Sequence, residues 1–318
     1  IQFSIIIPVF NVENYIQQCL DSVLAQTFTN YECILVNDGS TDNSKEICEK
    51  YCFNHKSFIL VNQKNMGLSE ARNTGMKYAQ GSYIVFLDSD DFIKETALQD
   101  LYNTILNNGC KEIIISTTYA YYESENISKE RVCNFQKQIM RSSEVLWTTF
   151  ANSEFIVAAW ILTVERQFIL KNQLWFEPNL LHEDELWYPI AIAMAQEIIV
   201  NDKPFYYNRC DRKGSITNTP NIKKCFDKLK IIEKLSHIAV DDACKKAFNY
   251  RCGQLITGLI KEYSNYVNID KDKKLLYKVK SEINALWKTR KFKYKLLYIA
   301  CRLFGVEGIS KIMLMSMK

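Results

Sequence analysis

Asp88-Ser89-Asp90 follows directly on the apolar run Tyr83–Leu87. Two carboxylates two residues apart at the end of a strand can share a hard divalent cation together with substrate phosphates, which is how Mg²⁺ is usually held. A surface turn or a helix cap would also use Asp at these positions. The ligand reading gains weight from a second acidic loop after another apolar run, Asn37-Asp38-Gly39-Ser40-Thr41-Asp42. There Gly39 suits a tight turn and Asp42 suits the N-cap of a following helix. Asp38 is left over, either to accept a hydrogen bond from a nucleobase imide or a ribose hydroxyl, or simply to close the turn. Arg72, inside the loop-to-helix stretch Asn65–Gly75, could pair with phosphate or with these carboxylates.

Such side chains need a scaffold that delivers them to one edge. The first hundred residues alternate short apolar runs with amphipathic segments, the pattern of βα units around a parallel sheet. Strands are predicted at Phe3–Val9, Cys33–Val36, Phe58–Val61 and Tyr83–Leu87, and helices at Val12–Ala25, Asp42–Cys52 and Ser69–Ala79. In an open α/β sheet, ligands bind beyond the carboxyl ends of the strands, where the connecting loops diverge. Those ends carry Pro8-Val9-Phe10-Asn11, the Asp38 loop and Asp88-Ser89-Asp90-Asp91. A helix near Glu95–Leu106 and a strand at Glu112–Ser116 come next. Tyr119–Arg141 reads as polar and irregular, Glu144–Gln173 as mixed helix and strand, and the chain from Ile222 onward as helical. The expected fold class is α/β, a mostly parallel central sheet flanked by helices with a helical C-terminal extension. Its expected parts are residues 1–110, which carry the acidic loops, residues 111–220, and the helical residues 221–318.

Four segments in order, Ile-Ile-Pro-Val-Phe-Asn (6–11), Val-Asn-Asp-Gly-Ser-Thr-Asp (36–42), Asn-Met-Gly-Leu-Ser-Glu-Ala-Arg-Asn-Thr-Gly (65–75) and Phe-Leu-Asp-Ser-Asp-Asp (86–91), resemble glycosyltransferase family 2. The resemblance covers residues 3–92 strongly and 155–216 moderately. It implies a GT-A fold, a nucleotide-diphosphate sugar donor with UDP preferred, inversion at the anomeric carbon, and Mn²⁺ or Mg²⁺. By that similarity Asp38 contacts the base, Asp88 the ribose or metal, and Asp90 the metal. Pro8, Asn11, Arg72 and Ser89 line the donor site. The stretch His182-Glu183-Asp184-Glu185 resembles the family's acidic pair ahead of a helix. Asp184 is accordingly the expected general base, since a partly desolvated carboxylate has a raised pKa suited to proton abstraction. Glu183 is the alternative, and His182 is a candidate metal ligand or orienting group. A run of three acids in four could also simply favour a helix N-terminus. The stretch Tyr206–Ile216 resembles the family's loop over the diphosphate, so Arg209, Arg212, Lys213 and Ser215 join the donor-binding set. Oriented cations there would stabilise charge on the leaving group.

Composition limits the alternatives. In 318 residues, 47% apolar and 24% charged, most of the chain should fold. The scattered cysteines form neither a zinc pattern nor a disulfide framework, which favours reduced thiols and a cytoplasmic location. A dinucleotide-dependent oxidoreductase would need a G-x-G-x-x-G turn after the first strand, where Pro-Val-Phe-Asn stands instead. A metal-dependent nucleotidyltransferase could use the same paired Asp, and a non-enzymatic, basic-tailed binding protein would use none of it. The chain opens on a strand without Met, so a short trimmed leader is expected. Residues 271–318 carry 13 Lys/Arg against 3 Asp/Glu, leaving 27 against 33 in residues 1–270. The tail is +10 and the body −6, which points to an anionic partner. No recognised nucleic-acid module stands in the tail. Lys288, Arg290, Lys291, Lys293 and Lys295 crowd ahead of Leu296-Leu297-Tyr298-Ile299-Ala300, as in an interfacial helix. The expected acceptor is a saccharide on a polyprenyl diphosphate, reached at the cytoplasmic face of an anionic membrane. A helical lid with solvated cations is the competing reading of the same segment.

Overall fold

The run Phe3-Ser-Ile-Ile-Ile-Pro-Val9 buries every residue, as a strand covered on both faces must. It forms β1 (Phe3–Val9) in a computed structural model that describes residues 1–131, 135–152, 155–212, 221–263, 265–266, 270, 273–289 and 291–315. By its internal contacts the chain divides into two units, one of Ile1–Asn179 and Ile190–Lys213, the other of Leu180–Pro189 and Gly214–Lys318.

In the first unit β1 pairs in parallel with β2 (Tyr31–Asn37) and β4 (Tyr83–Phe86), and β2 pairs in parallel with β3 (Phe58–Asn62). The connecting helices are α1 (Ile16–Leu24), α2 (Ser44–Asn54) and α3 (Leu68–Tyr78). The chain therefore steps outward from β1 to β3 and then returns to β4 on the other side of β1. That reversal leaves a crevice at the strand ends. Farther along come β5 (Phe92–Ile93), α4 (Ala97–Asn108), β6 (Ile113–Tyr122), β7 (Ile127–Arg131), β8 (Ile139–Arg141) and α5 (Ser142–Ala151). A short 3₁₀ turn at Ala159–Ile161 leads into β9 (Leu162–Glu165), α6 (Arg166–Asn172), α7 (Asp184–Met194) and β10 (Glu197–Arg209). The ten strands among the described residues form one sheet in the order β3-β2-β1-β4-β9-β6-β10-β5, with β7 beside β6 and β8 beside β10. Because β9 is antiparallel to both β4 and β6, and β6 is parallel to β10, the strands β1–β4, β6 and β10 all point the same way. This is the expected α/β class, with a central sheet flanked by helices.

Three local expectations change. The helix expected from Val12 starts at Ile16, because Val12 to Tyr15 form a turn whose Tyr15 and Ile16 N–H groups both donate to the Val12 carbonyl. Asn43, not Asp42, occupies the N-cap position of α2, yet the Asp42 Oδ1 still accepts from the Ser44 N–H at 3.0 Å. The stretch expected to be irregular, 119–141, instead holds the end of β6, its antiparallel partner β7, and β8. Four of the five β7 residues are exposed, so no buried face marks this strand in the sequence.

The second unit is helical: α8 (Ile222–His237), α9 (Asp242–Tyr263), α10 (Lys274–Glu282), α11 (Asn284–Lys288) and α12 (Phe292–Met315). The α9 helix is its core, burying Ala247, Phe248, Cys252, Ile256, Leu259 and Ile260 and packing on the other four. Gly305, at φ 73° and ψ 156°, interrupts α12. Every cysteine among the described residues is a free thiol.

One close approach is testable. A Cβ on Gly81 would lie 2.6 Å from the Ser4 backbone N and 2.7 Å from the Phe3 carbonyl carbon. Backbone cannot swing aside as a side chain can. Gly81→Val should lower the unfolding free energy in urea by about 1–3 kcal/mol, the usual cost of overpacking; an unchanged midpoint would contradict this packing.

Candidate active site

The ends of β1 and β2 are tied together by their own polar residues. Asn11, at the end of β1, takes a left-handed conformation with φ 51°. Its N–H donates to Ser40 Oγ at 3.2 Å, and its side-chain oxygen accepts from the Thr41 N–H at 2.8 Å. Pro8 sits within β1, paired with Val36 in the register of β1 and β2. Gly39 has φ 73°, and a Cβ there would meet the Asn65 backbone N at 2.9 Å, so both conformation and space require glycine.

Asp38 is buried, and its two oxygens already accept three hydrogen bonds. These come from Gln63 Nε2 at 2.7 Å, from the Met66 N–H at 2.8 Å and from the Gly67 N–H at 2.8 Å. It thereby clamps the loop leading into α3. Of the roughly four acceptor directions of a carboxylate, about one remains for a ligand.

The carboxylates after β4 are each held by a cation or by buried donors. Arg72, 1% exposed and lying over the Phe176 ring at 5.2 Å, donates from Nη2 to Asp88 Oδ1 at 2.8 Å. Arg212 Nη1 donates to Asp90 Oδ2 at 2.7 Å. Asp91 is buried and accepts from the Tyr206 hydroxyl at 2.7 Å, from the Arg209 N–H at 2.7 Å and from Asn208 Nδ2 at 3.2 Å. The Tyr206 hydroxyl also accepts from the Asp88 N–H at 3.1 Å, and its ring stacks on Trp160 at 4.4 Å. Ser89 is buried between the two acids. Desolvation raises the Asp88 carboxyl above its ordinary value although the Arg72 guanidinium pulls the other way. Desolvation, then the nearby charges of Asp90 and Asp88, push Asp91 well above the carboxylate range.

Arg209 is an anchor rather than a displayed cation. Its side chain is 1% exposed and lies over the rings of Tyr15 at 5.0 Å and Tyr121 at 5.3 Å. Its Nε donates to the Asp90 carbonyl at 2.9 Å, Nη2 donates to Gln18 Oε1 at 2.5 Å, and Nη1 is 2.6 Å from Glu123 Oε1. Arg212 also lies over Tyr15, at 5.2 Å. Lys213 and Ser215 lie outside the described residues.

The candidate base belongs to the second unit. Glu183 is buried, Asp184 is half-buried and begins α7, and His182 has φ 59°. Arg251 makes a two-pronged ion pair with Glu185, Nε to Oε2 at 2.9 Å and Nη2 to Oε1 at 2.5 Å, and the Leu181 N–H donates to Asp227 Oδ2 at 2.9 Å. These contacts fix the backbone that carries Glu183 and Asp184. Burial, and then the charge of Lys228, hold His182 below its ordinary pKa.

The structure thus gathers Pro8, Asn11, Asp38, Arg72, Asp88, Ser89, Asp90, Arg209 and Arg212 into the first unit, with His182, Glu183 and Asp184 in the second. Sequence reading missed Asp91, Gln18, Gln63, Tyr15 and Tyr206. The Asp-Asp pair at 90–91 was visible, but not which member turns inward. Among the described residues no three His, Cys, Asp or Glu side chains form a complete metal cage. Asp88 Oδ2 and Asp90 Oδ1 have no hydrogen-bond partner among those residues. Two hard oxygens completed by phosphate and water are a fitting donor set for Mg²⁺ or Mn²⁺.

In an open α/β sheet the switch point, here lined by acidic loops, is where ligands bind, and comparison with known proteins says to which family such a chain belongs. The family described as Glycosyl transferase family 2 matches residues 4–159. Glycosyltransferase GlyG of Streptococcus pneumoniae is 31% identical over 226 residues, 68% of this chain and 73% of that protein. Glycosyltransferase GlyA of the same organism is 32% identical over 222 residues, 68% of this chain but 31% of that longer protein. The chain therefore spans about a third of GlyA. Among solved structures, S. aureus TarS 1–349 in complex with UDP-GlcNAc superposes with a TM-score of 0.80, covering 100% of this chain and 91% of that one at 20% identity. The chain belongs to glycosyltransferase family 2, and its fold is that of the GT-A structures.

The Tyr206 hydroxyl bridges Asp88 and Asp91 across the sheet. Tyr206→Phe should lower stability by about 1–3 kcal/mol, because it leaves a buried carboxylate short of a donor. Chemical denaturation of the variant measures this, and a wild-type midpoint would mean that the bridge contributes nothing.

Proposed function

We propose that this chain transfers a sugar from a UDP-sugar to a saccharide acceptor in one displacement that inverts the anomeric carbon. The carrying observation is the pair Asp88 and Asp90. Each has one oxygen held by an arginine and the other without a protein partner among the described residues, at the switch point of the sheet. That arrangement suits a cation–diphosphate unit better than it suits a structural ion-pair network, which would use both oxygens. A divalent cation bound there would offset the negative charge on the departing diphosphate.

In this reading the protein's own groups act as follows. Asp38 accepts from the nucleobase or ribose through its remaining acceptor direction, while Pro8 and Asn11 shape the floor of the nucleotide pocket. Arg72 orients Asp88. Arg209 acts on the donor indirectly by fixing the Asp90 backbone. Arg212 can exchange its bond to Asp90 for one to phosphate, and Lys213 and Ser215 join it over the diphosphate. The acceptor oxygen attacks the anomeric carbon as the bond from that carbon to the diphosphate oxygen breaks, and the hydroxyl proton passes to Asp184. His182 serves to orient the acidic pair, burial favouring its neutral form, or as a further metal ligand. The UDP preference draws on the TarS complex with UDP-GlcNAc. The acceptor is read as a saccharide on a polyprenyl diphosphate in surface-polysaccharide synthesis, used by a peripheral enzyme at the cytoplasmic face of the membrane. No helix among the described residues is long and apolar enough to cross a membrane.

A panel of nucleotide sugars with Mn²⁺ tests the reaction class: release of UDP supports glycosyl transfer, and release of pyrophosphate supports a nucleotidyltransferase. Asp90→Ala should abolish transfer and Asp88→Ala nearly so, and chelation should stop the wild type; near-normal turnover with chelator would remove the metal from the mechanism.

Asp184→Asn should leave UDP-sugar binding nearly intact while lowering turnover by about 10²–10⁴-fold, the usual worth of a general base. If Glu183→Gln is severe and Asp184→Asn mild in the same assay, the base is Glu183.

A further inference from the structure

The α12 helix buries one side in its own unit, through Tyr294, Cys301, Val306 and Ile309. Its opposite side is apolar as well. Phe292, Leu296, Ile299 and Leu303 are 75%, 50%, 45% and 72% exposed. At steps of four, three and four residues they fall on one helical face. Lys295 and Arg302 each precede a stripe residue by one position and run along one flank of the stripe. Lys293 stands on the other flank. Phe304, Ile312 and Met315 are exposed as well. Trp287, half exposed, lies under Lys295, whose Nζ is 5.0 Å from the ring centroid. Arg290 lies outside the described residues.

We infer that this face of α12 docks on an anionic lipid bilayer, lying in the interface with the stripe among the acyl chains and the flanking cations against phosphate headgroups. Building on the lipid-linked acceptor proposed above, it names the residues that would bring the enzyme to such a substrate. Three features select this occupant. The stripe extends about 17 Å at 1.5 Å per residue, too short to cross about 30 Å of hydrocarbon, but suited to lying in the plane of the surface. Cations flank it on both sides within a tail of net charge +10, complementary to anionic headgroups. An exposed Trp beside such a stripe suits the headgroup region. A second copy of the chain fits less well, because an isologous contact brings the same patch to both sides of the interface and would set these cations against their own equivalents.

The test is co-sedimentation of the full chain with vesicles of phosphatidylcholine alone or of equal parts phosphatidylcholine and phosphatidylglycerol, without any substrate. Binding should require phosphatidylglycerol and weaken with added salt. Lys295→Ala with Arg302→Ala should reduce partitioning about 25-fold, at roughly fivefold per cation. Leu296→Ser with Leu303→Ser should reduce it at least about tenfold. Circular dichroism checks that the variants remain folded. Full chain that ignores anionic vesicles at low salt, or variants that bind as well as wild type, would overturn the inference. So would sedimentation velocity showing an oligomer that Leu296→Ser and Leu303→Ser dissociate, since a second copy would then cover the face. UDP release in vesicle-free solution is scored separately, so a loss of membrane binding is not confused with a failure of the transferase reading.

Discussion

Three carboxylates within four residues, Asp88, Asp90 and Asp91, crowd the end of one buried strand, and the first unit is organised around making that tolerable. Two unit charges 4 Å apart repel by about 4 kcal/mol at an effective dielectric of about 20, and desolvation adds to the cost. Each acid is answered from a different part of the chain. Arg72 comes from α3, Arg212 from just beyond β10, and the Tyr206 hydroxyl and Arg209 N–H from β10 itself. Strand β10 must therefore return beside β6 and β5 to supply donors to residues that precede it by more than a hundred positions. The register of β10 against β6 shifts between Asn201 and Tyr206 on the way. Answering Asp88 and Asp90 each with a single cation on one oxygen leaves the other oxygen open, so the electrostatic solution and the proposed donor site are one arrangement.

The second unit meets a different constraint. Its helices pack around α9, and the Arg251–Glu185 pair together with Asp227 fixes the short segment that carries Glu183 and Asp184. The general base proposed on this segment must keep its geometry through turnover, and a two-pronged guanidinium–carboxylate contact one residue away restrains the backbone more tightly than a loop would. The exposed stripe on α12 stands outside this packing, because its helix satisfies its core with the opposite side.

Much of the first unit could be read from the sequence because its signals are local. The run at Tyr83–Phe86 is apolar throughout and that at Phe3–Val9 is apolar but for Ser4, as suits strands buried on both faces, and Asp88-Ser89-Asp90-Asp91 comes one residue after the first of these. What could not be read depends on partners distant in sequence. The exposed β7 carries no apolar alternation, and β9 shows nothing local to place it antiparallel between β4 and β6. The burial of Asp91 is set by Tyr206 and Arg209, and the enclosure of Arg209 by Gln18, Tyr15 and Tyr121. Asp38 looked free for a ligand because its three donors come from a loop some 25 residues away. The tail's charge was legible from composition, whereas which side of α12 stays exposed needed the fold.

The central claim is that Asp88 and Asp90 hold a cation–diphosphate unit through their unpartnered oxygens. Isothermal titration of UDP into the protein tests it most directly, with Mn²⁺ and with chelator, for the wild type and for Asp90→Asn. The account predicts binding that depends on Mn²⁺ in the wild type and is lost in Asp90→Asn even when Mn²⁺ is present. UDP binding of equal strength with and without the cation, or unchanged by the substitution, would contradict it.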